Sequence, residues 1–188
     1  MPALGSNDMS NKQDVEIDLV RRLFGTLGIQ QFTLEPSDRP DVIVVIDDHS
    51  IGIEVTVFHV DESMGGNGSS LRVEEERKAK DAKSKPYMMW VNTDPLPGLV
   101  ARIKDKISVA STYDNTRYDE LWLLVVTQFP KMGAISSTFV LPNFIDLTKL
   151  DNNLQPQLNN SIFAAVYIHA ALYNKVYKWS PSKGWRIL

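Results

Sequence analysis

The sequence predicts a mixed α/β domain: a central mixed β-sheet flanked by helices, with a β-hairpin at the C-terminus. Three observations carry this reading. Apolar residues recur at helical spacing over residues 14–27, two β-branched runs follow at 42–46 and 51–60, and helical and strand patterns then alternate to the end of the chain. With 188 residues, 43% of them hydrophobic, the chain can bury a core without staples, and residues 12–188 read as one domain behind a flexible arm at 1–11.

The elements follow in order. Val15, Leu19, Val20, Leu23, Phe24 and Leu27 line one side of a first helix, with Ser10 and Gln13 spaced as a capping box and Gly28 as its stop. A short strand at 32–35 ends at Pro36, and Ser37-Asp38-Arg39-Pro40 is a turn. The runs 42–46 and 51–60 form a hairpin about Asp48-His49. A glycine-rich connector at 64–70 leads to a charged helix at 71–83, and 87–91 reads as a strand. Leu99, Ile103 and Ile107 mark a helix at 99–109, followed by a buried strand at 121–126. Residues 131–161 read as a polar, loop-rich stretch, 162–168 as a strand, and 176–180 with 185–188 as the terminal hairpin. Tyr173, Tyr177, Trp179 and Trp185 fall there, where paired strands bury such rings.

Composition narrows the function classes. The net charge of −3 argues against coating nucleic acid by charge alone, while leaving room for a local basic patch. No cysteine is present, which excludes disulfides, thiolate zinc sites and a cysteine nucleophile. No run approaches the ~18 apolar residues of a membrane span and no secretory signal is legible, so the expected address is cytoplasmic, with no membrane partner. His49, His59 and His169 have no spacing that makes a shared metal site.

Three acidic residues, in two places, stand out. On the first helix, Glu16 is the single charge within the apolar arc, and it needs a cation or donors there unless it bends back to solvent. In the hairpin, a two-residue turn at Asp48-His49 pairs Asp41 with Thr56 and sets Glu54 diagonal to Asp41. Residues 52, 54 and 56 then share one face and Ile51, Ile53, Val55 and Val57 the other, with Gly52 leaving space for a ligand beside Glu54. Two carboxylates so placed converge on one divalent cation or form a surface pair on an open sheet face.

Glu16 in a first helix, Pro40-Asp41 opening a strand, and Glu54-Val55-Thr56 in the next, with 12 residues between the two strand acids, resemble the PD-(D/E)xK nuclease superfamily. The resemblance covers about residues 12–126 and implies a restriction-endonuclease-like core of helix, three strands, helix and strand. It implies Asp41, Glu54 and Glu16 as ligands or water-holders for Mg²⁺ or Mn²⁺, with nucleic acid, DNA or RNA, as substrate. Thr56 stands where the family has its lysine, and a hydroxyl cannot supply that charge. Some relatives take the lysine from the following helix, and Lys78 is the expected surrogate, with Thr56, Arg72 and Glu75 toward the substrate. The pairs Glu74–Lys78 and Glu76–Lys80 also fit a plain solvated helix. The expected activity is metal-dependent phosphodiester hydrolysis. The alternatives are a catalytically inactive nuclease-like domain that binds a protein or nucleic acid, and an interaction protein using its aromatic C-terminal hairpin. A homodimer stays open.

Overall fold

A computed structural model of the chain describes residues 6–59, 94–113, 115–128, 144–170, 173 and 175–188. The segments 64–83 and 87–91, and with them Arg72, Glu75 and Lys78, lie outside the described residues. The described α-helices and strands are α1 (Ser6–Thr26), β1 (Thr33–Pro36), β2 (Val42–Ile46), β3 (His49–His59), α2 (Leu96–Ala110), β4 (Glu120–Gln128), α3 (Leu147–Asn159), β5 (Phe163–Ala170), β6 (Lys175–Ser180) and β7 (Gly184–Ile187). They make an α/β architecture. The seven described strands lie side by side in chain order. The outer pairs are antiparallel, while β3, β4 and β5 run parallel. Parallel neighbours need crossovers, and α2 and α3 lie in the two that join these strands.

The helices divide the core between the two faces of the sheet. On one face, Leu19, Val20, Leu23 and Phe24 of α1 pack with Val42, Val44, Ile51, Ile53 and Val55. On the other, Leu99, Val100 and Ile103 of α2 and Leu150, Leu154 and Leu158 of α3 pack on Leu121, Leu123, Val125, Val166 and Ile168. Each fully buried leucine or phenylalanine contributes roughly 1.5–3 kcal/mol, so strand alternation and helix stripe are fixed by the same burial. Tyr177, Trp179 and Trp185 are buried on the α2–α3 side, as expected for rings in paired strands.

Several expectations change. The first helix begins at Ser6, not near Asp14, and runs through Ser10 and Gln13, so these residues do not open it. At its other end Gly28 has φ +74°, and Ile29 N–H donates to the Phe24 carbonyl at 3.0 Å, the left-handed termination that glycine permits. Val15, counted with the apolar arc, is half exposed. The stretch read as loop-rich holds α3, opened by Asp146, whose carboxyl accepts from Lys149 N–H at 3.1 Å. Its leucines at 150, 154 and 158 carry a helical repeat that Asn, Gln and an internal Pro156 obscured.

The hairpin register is shifted by two. Ile46 pairs with His49 and Val42 with Ile53, so the turn is Asp47-Asp48, with Asp47 at φ 51°. Aspartate tolerates that left-handed geometry. A shift of two preserves the alternation, so Ile51, Ile53 and Val55 still face α1. Continued by one residue, the register brings Asp41 level with Glu54 instead of Thr56.

Candidate active site

β2 begins opposite Ile53, whereas β3 continues to His59, and this difference in length creates the site. Beyond Ile53, β2 no longer pairs with β3, and the turn before β2 closes on itself, with Ser37 N–H donating to the Asp41 carbonyl at 2.9 Å. Asp41 therefore arrives at the β3 edge as a side chain. Its Oδ2 accepts the Val55 N–H at 2.8 Å, taking the place of a ladder bond.

Around this edge α1 and α2 meet from opposite faces of the sheet. A cleft of about 500 Å³ is lined by Lys12, Val15, Glu16 and Leu19 of α1, by Asp41, by Val55, Thr56 and Val57 of β3, and by Lys106 of α2. Glu16 extends the buried stripe of α1 by one turn, since positions 16, 19, 20, 23 and 24 share one side, and only 8% of it is exposed. Asp41 and Thr56 are equally buried, and Glu54 is more so.

The acids are held by two lysines. Lys106 Nζ lies 2.6 Å from Glu54 Oε1. Lys12 Nζ lies 3.1 Å from Glu16 Oε1 and 3.7 Å from Asp41 Oδ1. Three carboxylates face two ammonium groups, and the surplus negative charge falls on Asp41. Burial and then the Glu54 charge push its carboxyl up to about 6, against the opposing bond from Val55 N–H. The phenol of Tyr113, just past α2, hydrogen-bonds toward Glu54, and burial together with that carboxylate raises it well above the usual range. The bond to Glu16 raises the Lys12 ammonium in turn.

Of the residues singled out in the sequence, Glu16, Asp41 and Thr56 line the cleft, and Glu54 is tied to it through Lys106. The acids do not converge on one point. Among the described residues, no group of three His, Asp or Glu side chains is set to hold a metal ion, because each carboxyl is turned toward its own lysine or amide. Gly52 does not leave space for a ligand either. A Cβ there would lie 2.7 Å from Pro40 Cγ and 2.9 Å from Tyr118 Cδ1, so these rings already fill the position.

Lys106 is the residue missed. It lies three positions after Ile103 and seven after Leu99, on the buried side of its helix, and a lysine there carries the same signal as Glu16 on α1. The site geometry is that of three shielded carboxylates, one shielded and one exposed lysine, and a cleft where β2 begins beside β3. No helix among the described residues is long and apolar enough to cross a membrane. Compared with protein-family profiles, with curated proteins and with solved structures, the chain matches none of them.

Proposed function

We propose that the chain is a metal-dependent phosphodiesterase acting on nucleic acid, DNA or RNA, with the restriction-endonuclease-like core of PD-(D/E)xK nucleases. The observation that carries this reading is the cleft on which residues distant in sequence meet, Asp41 and Glu16 beside Lys106 on Glu54. The element order of helix, three strands, helix and strand, with the last strand parallel to the third, supports it.

The donor set suits a hard cation. It offers carboxylate oxygens and neither thiolate nor imidazole, the preference of Mg²⁺ and Mn²⁺ rather than Zn²⁺. Such ions keep several waters and need only one or two protein carboxylates, so Asp41 with one further acid, Glu16 or Glu54, would suffice without a cage of three. When bound, the ion supplies Lewis acidity toward a phosphate and acidifies water. The chain's own groups do the rest. Lys106 takes the part expected of Lys78, offsetting negative charge that grows on the phosphate in the transition state. Thr56 offers a hydroxyl to water at the motif position that lacks a lysine. Glu16 would share the ion with Asp41 or orient a water for in-line attack, with no covalent intermediate.

A second reading, an inactive nuclease-like domain that binds a partner, is favoured by Thr56 and by the divergent carboxylates. One experiment separates the two. Single-stranded DNA, duplex DNA and RNA are incubated with the protein and Mg²⁺ or Mn²⁺, and Asp41→Ala is expected to abolish cleavage. Cleavage that survives Asp41→Ala refutes the assignment. Oligonucleotide binding with neither cleavage nor saturable Mn²⁺ uptake establishes the inactive module.

A further inference from the structure

The two lysines of the cleft are not equivalent. Lys106 is a quarter exposed and sits on a carboxyl that is 5% exposed, a shielded pair. Lys12 is 72% exposed, yet the two carboxyls it touches are each 11% exposed. Helix energetics do not account for Lys12. An i,i+4 pair favours Glu on the N-terminal side of Lys, and here the order is reversed. What Lys12 supplies is charge. With Lys106 engaged on Glu54, Lys12 is the ammonium whose contacts fall on both Glu16 and Asp41. A long, solvated side chain can leave that position without disturbing the core. A divalent cation, with twice the charge in the same place, outcompetes it.

Building on the metal-dependent reading above, we propose that Lys12 is a resident counter-ion that occupies the cation position between Glu16 and Asp41 and is displaced when Mg²⁺ or Mn²⁺ binds. It holds two buried carboxylates together in the free protein and sets the threshold of metal concentration at which the site loads.

The test is calorimetric titration of the full chain, Lys12→Gln and Lys12→Arg with Mn²⁺. Lys12→Gln should bind Mn²⁺ about threefold more tightly, the size expected when one exposed ion pair no longer competes. Lys12→Arg keeps the charge and should bind as the wild type does. In a parallel Mg²⁺ titration, the ¹³Cε resonance of Lys12, assigned by its loss in Lys12→Gln, should shift with the same midpoint as metal uptake. Saturable uptake that is equal or weaker in Lys12→Gln overturns the counter-ion while leaving the metal site standing. If wild type and both variants take up no Mn²⁺, the metal-dependent reading falls and the proposal with it.

Discussion

The two halves of β3 each present a backbone N–H to an aspartate, and the aspartates respond oppositely. At the start of the strand, Asp119 Oδ2 accepts from Ser50 N–H at 2.7 Å and from the Ser50 hydroxyl at 2.9 Å, with His49 Nδ1 at 3.4 Å. Those bonds hold its carboxyl below the usual range. Past the middle of the strand, Asp41 accepts from Val55 N–H at 2.8 Å, nearly the same bond, and is pushed up to about 6. The amide bond therefore does not decide the outcome. Burial and the neighbouring Glu54 charge do, so one half of β3 is tied for stability and the other stores electrostatic tension that a cation would relieve.

Breaking the shielded pair gives the largest effect on stability. Lys106→Met keeps the stem of the side chain and leaves Glu54 buried without its ammonium, so urea denaturation should show a loss of about 3 kcal/mol. Adding Glu54→Gln should restore most of it. A loss below about 1 kcal/mol, in the range of an exposed pair, would mean that Glu54 is compensated elsewhere.

Asp41→Asn should act in the other direction. A carboxyl whose pKa is raised on folding binds more protons in the native state, so its charged form subtracts stability as pH rises from about 4 to about 6, and the deficit persists above. The amide keeps an oxygen for Val55 N–H and removes the charge. At pH 8 the variant should be more stable than wild type, by on the order of 2 kcal/mol, and the difference should vanish near pH 4. Urea titrations at the two pH values check this, and equal stability at pH 8 would show that Asp41 carries no tension.

Much of this site could be read from the sequence wherever a short-range period controls it. The strand Val42–Ile46 and the alternation of β3 follow from β-branched runs, and Glu16 follows from the 3.6-residue repeat of α1. The hairpin register was two residues off because Asp47 can adopt φ 51° as readily as the next residues could have formed the turn, and only the parity was fixed by burial. Lys106 carried a legible signal, since it shares the buried side of α2 with Leu99 and Ile103. Its partner Glu54 is 52 residues away across a parallel crossover, and no local pattern specifies which strand acid it meets. α3 was hidden because Pro156 and a polar composition outweighed three leucines whose burial depends on the sheet beneath them.

The smallest effect belongs to the exposed end. Asp119 has a folded pKa below its unfolded one, so it adds stability above the ordinary carboxylate range and loses it as pH falls through the depressed value. Asp119→Asn should thus be slightly less stable than wild type at pH 7 and equal to it in strong acid, a profile opposite in sign to that of Asp41→Asn. The effect is small because Asp119 is exposed to solvent, and added salt should shrink it further while leaving the Asp41 difference largely intact. Measuring both variants across pH at low and high ionic strength sets the comparison on one scale. If salt reduced both by the same fraction, Asp41 would be as open to solvent as Asp119, and the cleft would hold no charge that a divalent cation could relieve.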